Sequence, residues 1–253
     1  MSTIIDTVLS RPANLRDLGG IPVAGGVIAE GFAIRSDDLA TVTPEFANEL
    51  VEGGLGAIID LRSSDEFGAT GRGPFGEQPV TYHHVPLMRS ISAASMPAFE
   101  PGTIPPMGEL YPLMFERAAG QLVAALGIMA YSTGAVAFHC AAGRDRTGVL
   151  AASLLLALGA SDEVIVADYE LTHANMAGVG ERTRASLGAV MKKLGYDTDV
   201  AARAAAIDFS ADRAMEVTLR TLRERHGDPL TPLRAVGLSD GLVARLRERA
   251  GLA

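Results

Sequence analysis

The sequence predicts an α/β protein with a central, mostly parallel sheet flanked by helices, a helical C-terminal portion and a lid-like insertion. Three observations carry this expectation. Short apolar runs at residues 57–61 and 134–138 each follow a helical stretch, the mark of buried parallel strands in βαβ units. Residues 87–109 turn abruptly to Ser, Pro, Met, Ala and Gly, and Pro97, Pro101, Pro105 and Pro106 bar a long regular element there. Beyond Arg146, in residues 149–253, nearly every stretch reads as helix.

The elements follow in order. Val27-Ile28 and Phe32-Ala33-Ile34 flank a Glu30-Gly31 turn and suggest a short hairpin. Thr43 and Pro44 supply an N-cap and an N1 proline for a helix to about Glu52, stopped by Gly53-Gly54. Strands are expected at Ala57–Leu61 and Tyr82–Pro86, then a long loop, then one helix from Leu110 to Tyr131, then a strand over Gly134–Phe138. Helices are expected over Val149–Leu158, Asp162–Ala174, Arg182–Leu194, Val200–Ala206, Asp212–Arg225 and Gly241–Arg249. Ser161, Ser210 and Ser239 stand as N-caps. With no repeat and no long Gly/Ser linker, residues 1–253 read as a single domain.

Composition narrows the function. In 253 residues, 22 Lys+Arg against 30 Asp+Glu leave a net charge of −8, which argues against a nucleic-acid coat. With 48% hydrophobic and 21% charged residues the chain can bury a sizeable core. The longest apolar run, Val149–Leu158, is far short of the ~20 residues a bilayer requires, so no integral membrane segment is expected. No basic region followed by an apolar stretch opens the chain. A cytoplasmic site is therefore expected, with signal-independent export left open. A single cysteine rules out an internal disulfide framework.

That cysteine sits where chemistry is expected. The strand ending at Phe138 runs into His139-Cys140-Ala141-Ala142-Gly143-Arg144-Asp145-Arg146-Thr147-Gly148, and an apolar helix begins at once. A strand, a tight loop and a helix N-terminus make an anion site, because unpaired backbone N–H groups converge there and the helix dipole favours negative charge. Five residues separate Cys140 from Arg146, so the loop can wrap a tetrahedral oxyanion with sulfur beneath phosphorus and the guanidinium beside two oxygens. Gly143 permits the turn. The same field favours thiolate over thiol at Cys140. His139 is placed to hold the loop backbone, and the Thr147 hydroxyl to donate to the sulfur as it leaves. The scheme requires neither metal nor cofactor.

His-Cys-x5-Arg-Thr-Gly resembles the signature of cysteine-dependent phosphatases. The fuller loop resembles the bacterial atypical tyrosine phosphatases related to mycobacterial protein tyrosine phosphatase B. Asn14–Gly20 is similar to that family's N-terminal Asn-Phe-Arg-Asp box, Arg35-Ser36 to its Arg-Ser turn, and Asp60-Leu61-Arg62-Ser63 to its strand-end box. Ala167-Asp168-Tyr169, Met215 and Gly237-Leu238 extend the resemblance over nearly the whole chain. It implies an α/β phosphatase fold and a phosphocysteine mechanism. Cys140 is then the nucleophile, Arg146 and the amides of residues 141–146 the phosphate site, and Asp145 the general acid. Two departures stand out: Arg144 replaces the family's usual Lys, and without any tryptophan the chain has no Trp-Pro-Asp acid loop. Asp37, Asp38 and Asp60 are rival acids.

The expected substrates are phosphotyrosine proteins, with phosphoserine, phosphothreonine and phosphoinositides behind, and inorganic phosphate as product. The alternatives are an inositol phosphate phosphatase with a broader basic pocket that uses Arg144, a non-catalytic phosphate-binding module, and a sulfur transferase. Arg16, Asp17 and Arg35 either brace the loop or form a distant ion pair. His83 and His84 are strand neighbours facing opposite ways, a poor metal pair. Met88, Met96 and Met107 either line a mobile lid or pack the long loop down.

Overall fold

The computed structural model describes residues 9–88, 106–193 and 213–252. Most of the expected lid with Met96, the helix at Val200–Ala206 and the Ser210 cap lie outside them.

A five-stranded sheet organises the chain: β1 (Arg16–Asp17), β4 (Ala33–Ser36), β7 (Ala135–His139), β5 (Leu55–Asp60) and β6 (Thr81–His84), in that spatial order. A separate hairpin pairs β2 (Pro22–Val23) with β3 (Gly26–Val27). β4, β7, β5 and β6 run parallel and only β1 is antiparallel, so β7 occupies the middle with all five residues buried. In open parallel sheets the crevice at the strands' carboxyl ends takes the ligand, and Cys140 follows β7 there.

Strand periodicity assigns the two faces. Ala57, Ile59, Val136 and Phe138 join the large core, while Ile58 and Ala137 face a smaller one with Leu39, Val42 and Phe46. Leu55 breaks the period by siding with Ile58. The register shifts between Leu55 and Ala57, where a Cβ on Gly56 would come within 1.9 Å of the Thr133 carbonyl oxygen.

Helices α1 (Pro44–Glu52) and α2 (Ser64–Thr70) follow β4 and β5. The Thr43 side chain accepts from Phe46 N and Pro44 opens α1, as the sequence indicates. α5 (Asp145–Leu158) is buried almost all round and lies in the large core with α3 (Met107–Arg117) and α4 (Ala119–Tyr131). α6 (Asp162–Glu170), α7 (Met176–Lys193), α8 (Ala214–His226), α9 (Thr231–Arg234) and α10 (Asp240–Arg249) complete the described helices. α8 packs on α3 and α6, and α10 on α4 and α5. Ser239 caps α10 by accepting from Leu242 N, whereas Ser161 holds the N-cap position of α6 without a side-chain cap bond.

Several boundaries correct the sequence reading. The hairpin turns at Ala24-Gly25 rather than Glu30-Gly31, and Ala33–Ser36 instead joins the main sheet, where buried Phe32 and Ala33 find partners on β7. The helix expected from Leu110 to Tyr131 is two helices bent by 75° at Ala118. The bend lets Tyr111, Met114 and Phe115 on one half, and Leu122, Leu126 and Met129 on the other, all enter the core. Residues 116–121, Glu-Arg-Ala-Ala-Gly-Gln, cross the break without a proline, so no strong stop signal marks it. α5 begins at Asp145, four residues before the expected start, which places Arg146 and Thr147 in its first turn. No single described helix is long and apolar enough to cross a membrane.

Candidate active site

The loop between β7 and α5 is held by its carbonyls. Asp38 N donates to Ala141 O at 3.1 Å, Asn14 Nδ2 to Ala142 O at 3.3 Å and to Gly143 O at 3.2 Å. A guanidinium nitrogen of Arg35 also reaches Gly143 O at 3.0 Å, and Gly148 N closes on Arg144 O at 2.7 Å. Because a trans peptide points its N–H opposite its C=O, carbonyls drawn to the rim turn the amides toward the loop interior. Among the described residues none of the N–H groups of residues 141–144 donates to a backbone carbonyl. Such a ring at a helix N-terminus binds oxyanions.

Gly143 is required for this path. Its φ is +67°, and a Cβ there would meet Asp37 N and Ser36 O at 2.6 Å, both backbone atoms that cannot swing aside. Gly143→Ala is expected to cost at least about 2 kcal/mol, a fall in Tm of roughly 5 °C or more. A thermal melt with and without vanadate should show both the lower Tm and the loss of oxyanion protection.

Behind the rim lies a buried charge harness. Asp168 on α6 pairs with Arg35 and, at 3.0 Å, with Arg16 Nε, while Arg16 reaches Asn14 Oδ1 at 2.6 Å. Burial favours the neutral acid at Asp168, but the two guanidiniums prevail and hold its carboxyl below the usual range. Burial, and then Arg35, pull Arg16 down to about 10. Arg16 and Arg35 thus brace the loop. Asp17 does not: it accepts from Gly19 N and Gly31 N in an exposed turn.

Arg146 is buried and forked onto Glu66 of α2, at 2.5 Å and 2.9 Å to the two carboxylate oxygens. Ser63 fixes Glu66 by a reciprocal cap, Ser63 N donating to Glu66 Oε2 and Glu66 N to Ser63 Oγ. Burial alone would raise the Glu66 carboxyl, yet Arg146 and the cap bring it to about 2. Two of the five guanidinium N–H groups serve Glu66, which leaves three for a ligand. Glu66 was missed in the sequence, although Ser63-Ser64-Asp65-Glu66 carries the S-x-x-E capping pattern that would have found it.

A family model described as the tyrosine phosphatase family matches residues 7–250. This chain belongs to the tyrosine phosphatase family. A tyrosine-protein phosphatase of Cupriavidus necator, so named provisionally, is 30% identical over 204 residues, 69% of this chain and 70% of its own. A tyrosine-protein phosphatase of Nostoc commune is 27% identical over 235 residues, covering 91% of this chain and 77% of that one. A solved structure of P. aeruginosa TpbA in complex with phosphotyrosine is 15% identical. It covers 69% of this chain and 85% of that one at a TM-score of 0.29.

In this tyrosine phosphatase Cys140 directly follows β7 with 1% of its surface exposed. His139 is fully buried, its Nδ1 3.2 Å from Cys140 O and 3.3 Å from Leu39 N, and burial lowers its pKa and keeps it neutral. The Thr147 hydroxyl is buried with no hydrogen-bond partner among the described residues, so the expected bond to the Cys140 sulfur is not formed here. Arg144, weighed as a substrate contact or a solvated loop charge, is not solvated. Its side chain is 2% exposed, with the guanidinium over the Tyr169 ring at 5.7 Å and 3.7 Å from Asp145 Oδ1.

The four candidate acids separate by environment. Asp37 accepts from Ala13 N and Asn14 N and pairs with Arg182 at 3.0 Å. Asp38 pairs with Arg62 at 3.1 Å and caps Ala40 N, and Asp60 takes Arg62 and the Tyr82 hydroxyl. All three are buried in structural ion pairs. Asp145 keeps 32% of its side chain exposed at the start of α5. Elsewhere, His84 stacks on Phe67 at 4.5 Å with Nε2 2.8 Å from Arg62 O, and among the described residues no three His, Cys, Asp or Glu converge as a metal ligand set.

Proposed function

We propose that this enzyme removes phosphate from phosphotyrosine side chains of proteins through a phosphocysteine intermediate, with Cys140 as nucleophile, Arg146 and the amides of residues 141–146 as the phosphate cradle, and Asp145 as general acid. The observation that carries the reading is the rim of outward-tied carbonyls around Cys140, with Arg146 aimed by Glu66. The Cys140 sulfur attacks phosphorus in line, the bond from phosphorus to the phenolic oxygen breaks, and Asp145 gives that oxygen its proton. Water then attacks the phosphocysteine, Asp145 takes back a proton, and the P–S bond breaks to return the thiolate and free phosphate. The amide ring and the three remaining guanidinium N–H groups stabilise the equatorial oxygens as charge spreads over them. Thr147 lies in the first turn of α5, where a buried hydroxyl without a partner favours a charged acceptor such as a leaving thiolate.

The burial of Arg144 takes away the extra cation on which a broad inositol phosphate pocket would rest. In excess EDTA the enzyme is expected to hydrolyse a phosphotyrosine peptide at least about 100-fold faster, in kcat/KM, than inositol phosphates or phosphoinositides, a gap of about 2.7 kcal/mol. Acid quenching with a radiolabelled phosphotyrosine peptide should trap label on Cys140. Equal rates on the two substrate classes would overturn the substrate assignment, and label on another residue the nucleophile.

A further inference from the structure

Two buried tyrosines on separate helices form a chain that ends on Asp145. Tyr111 on α3 is fully buried and donates its hydroxyl hydrogen to Asp145 Oδ1, and its oxygen lies 2.8 Å from the hydroxyl of Tyr169 on α6. The rings meet edge to face at 6.0 Å and 72°. Tyr169 is seated on the helix that Asp145 opens, since a Cβ on Gly148 would come within 3.0 Å of its ring.

Proton counting fixes the direction of this chain. Each phenol has one hydrogen, and a carboxyl oxygen that carries no proton can only accept. Tyr111 therefore spends its hydrogen on Asp145, and Tyr169 must supply the bond to Tyr111. Burial, with Asp145 and Tyr169 beside it, raises the Tyr111 phenol well above its ordinary value, so it remains a donor. Asp145 Oδ1 is thereby engaged, and Oδ2 is the oxygen Tyr111 leaves unengaged.

We propose that Tyr111, backed by Tyr169, is a positioning residue that clamps Asp145 through Oδ1 so that Oδ2 exchanges the proton with the departing phenol. The inference rests on Asp145 being the general acid. In the first half-reaction the proton moves from Oδ2 to the phenolic oxygen as the P–O bond breaks, and the new carboxylate accepts a stronger bond from Tyr111 than the neutral acid did. In the second half-reaction Oδ2 takes a proton from the attacking water. Tyr111 keeps its own proton throughout. Its bond strengthens only as proton transfer proceeds, which is the property that lowers a barrier.

The test compares kcat/KM for 4-nitrophenyl phosphate, whose leaving group needs little protonation, with phenyl phosphate, whose leaving group needs a proton. Asp145→Asn should lose about 100-fold on phenyl phosphate and under about tenfold on 4-nitrophenyl phosphate. Tyr111→Phe, which keeps the ring, should lose about tenfold on phenyl phosphate and under about twofold on the nitro ester, and should add nothing to Asp145→Asn. Tyr169→Phe leaves the Tyr111–Asp145 bond in place and should show a smaller loss with the same leaving-group bias, so the idea stays testable if Tyr111→Phe folds poorly. Equal losses on both esters in the tyrosine variants, or a further loss on the Asp145→Asn background, would overturn the clamp. Equal losses in Asp145→Asn itself would remove the acid assignment beneath it, a separate and recognisable failure.

Discussion

Cys140→Ser is expected to lose about 10⁴-fold or more of the rate on 4-nitrophenyl phosphate in EDTA, because a hydroxyl at neutral pH is a far weaker nucleophile than a thiolate. The substitution changes one atom in a position that is 1% exposed and alters none of the rim bonds from Asn14, Arg35 and Asp38. The oxyanion site should therefore survive. Tungstate or a phosphotyrosine peptide should bind the variant within about threefold of wild type, a difference under about 0.7 kcal/mol. Calorimetry beside the rate assay separates the two effects. A variant that still turns over would remove Cys140 from the reaction, and one that neither reacts nor binds would mean the loop had lost its shape.

Arg146→Lys should be nearly as severe, with a loss of about 10³-fold in kcat/KM. The lysine keeps the charge but gives up the planar fork that holds Glu66 and still leaves three N–H groups for phosphate. Glu66→Gln tests the aim of that fork rather than its presence. It should cost about tenfold in rate and add little to Arg146→Lys, since the two side chains act as one unit. It should also destabilise the fold by about 3 kcal/mol, the order expected when a buried cation loses its counter-charge. The acid behaviour of the wild type offers an independent reading. A carboxyl held near 2 in the fold against 4.5 unfolded contributes stability that is complete above pH 4.5 and is lost as pH falls toward 2. That difference is again about 3 kcal/mol. An acid melt of Glu66→Gln should lack this component, and identical acid profiles would show the pair to be energetically idle.

The sequence made the strand, loop and helix around Cys140 legible because all the determinants are local: an apolar run, a glycine, an arginine at fixed spacing and an apolar helix. The side chains that hold the loop were legible only as fragments. Arg16 and Arg35 stood out as charges near short strands, but their shared partner Asp168 lies 152 and 133 residues away, and no spacing rule spans that distance. Asp17, next to Arg16 in the same box, points to a surface turn, since neighbours on a strand face opposite ways. Glu66 had a local signal in its capping pattern, but α2 is short and weakly apolar, so periodicity passed over it. Tyr111 had none: a tyrosine among apolar helix residues reads as core until Asp145 and Tyr169 are brought to it.

The outward-tied rim also sets when the enzyme can first exist during its own synthesis. Asn14 and Arg35 emerge early but grip carbonyls 108 to 129 residues further along, and the aspartate that orients the two arginines comes later still. Until Asp168 has left the ribosome, the segment around Cys140 lacks the pull that turns its amides inward. A nascent chain that stops short of Asp168 therefore lacks part of the harness behind the rim, and the loop takes its full shape only after the N-terminal box has closed on α6. Contacts of such long sequence separation make this closure a late event in folding. The shape of the loop is thus the last product of the fold rather than a property of its own ten residues.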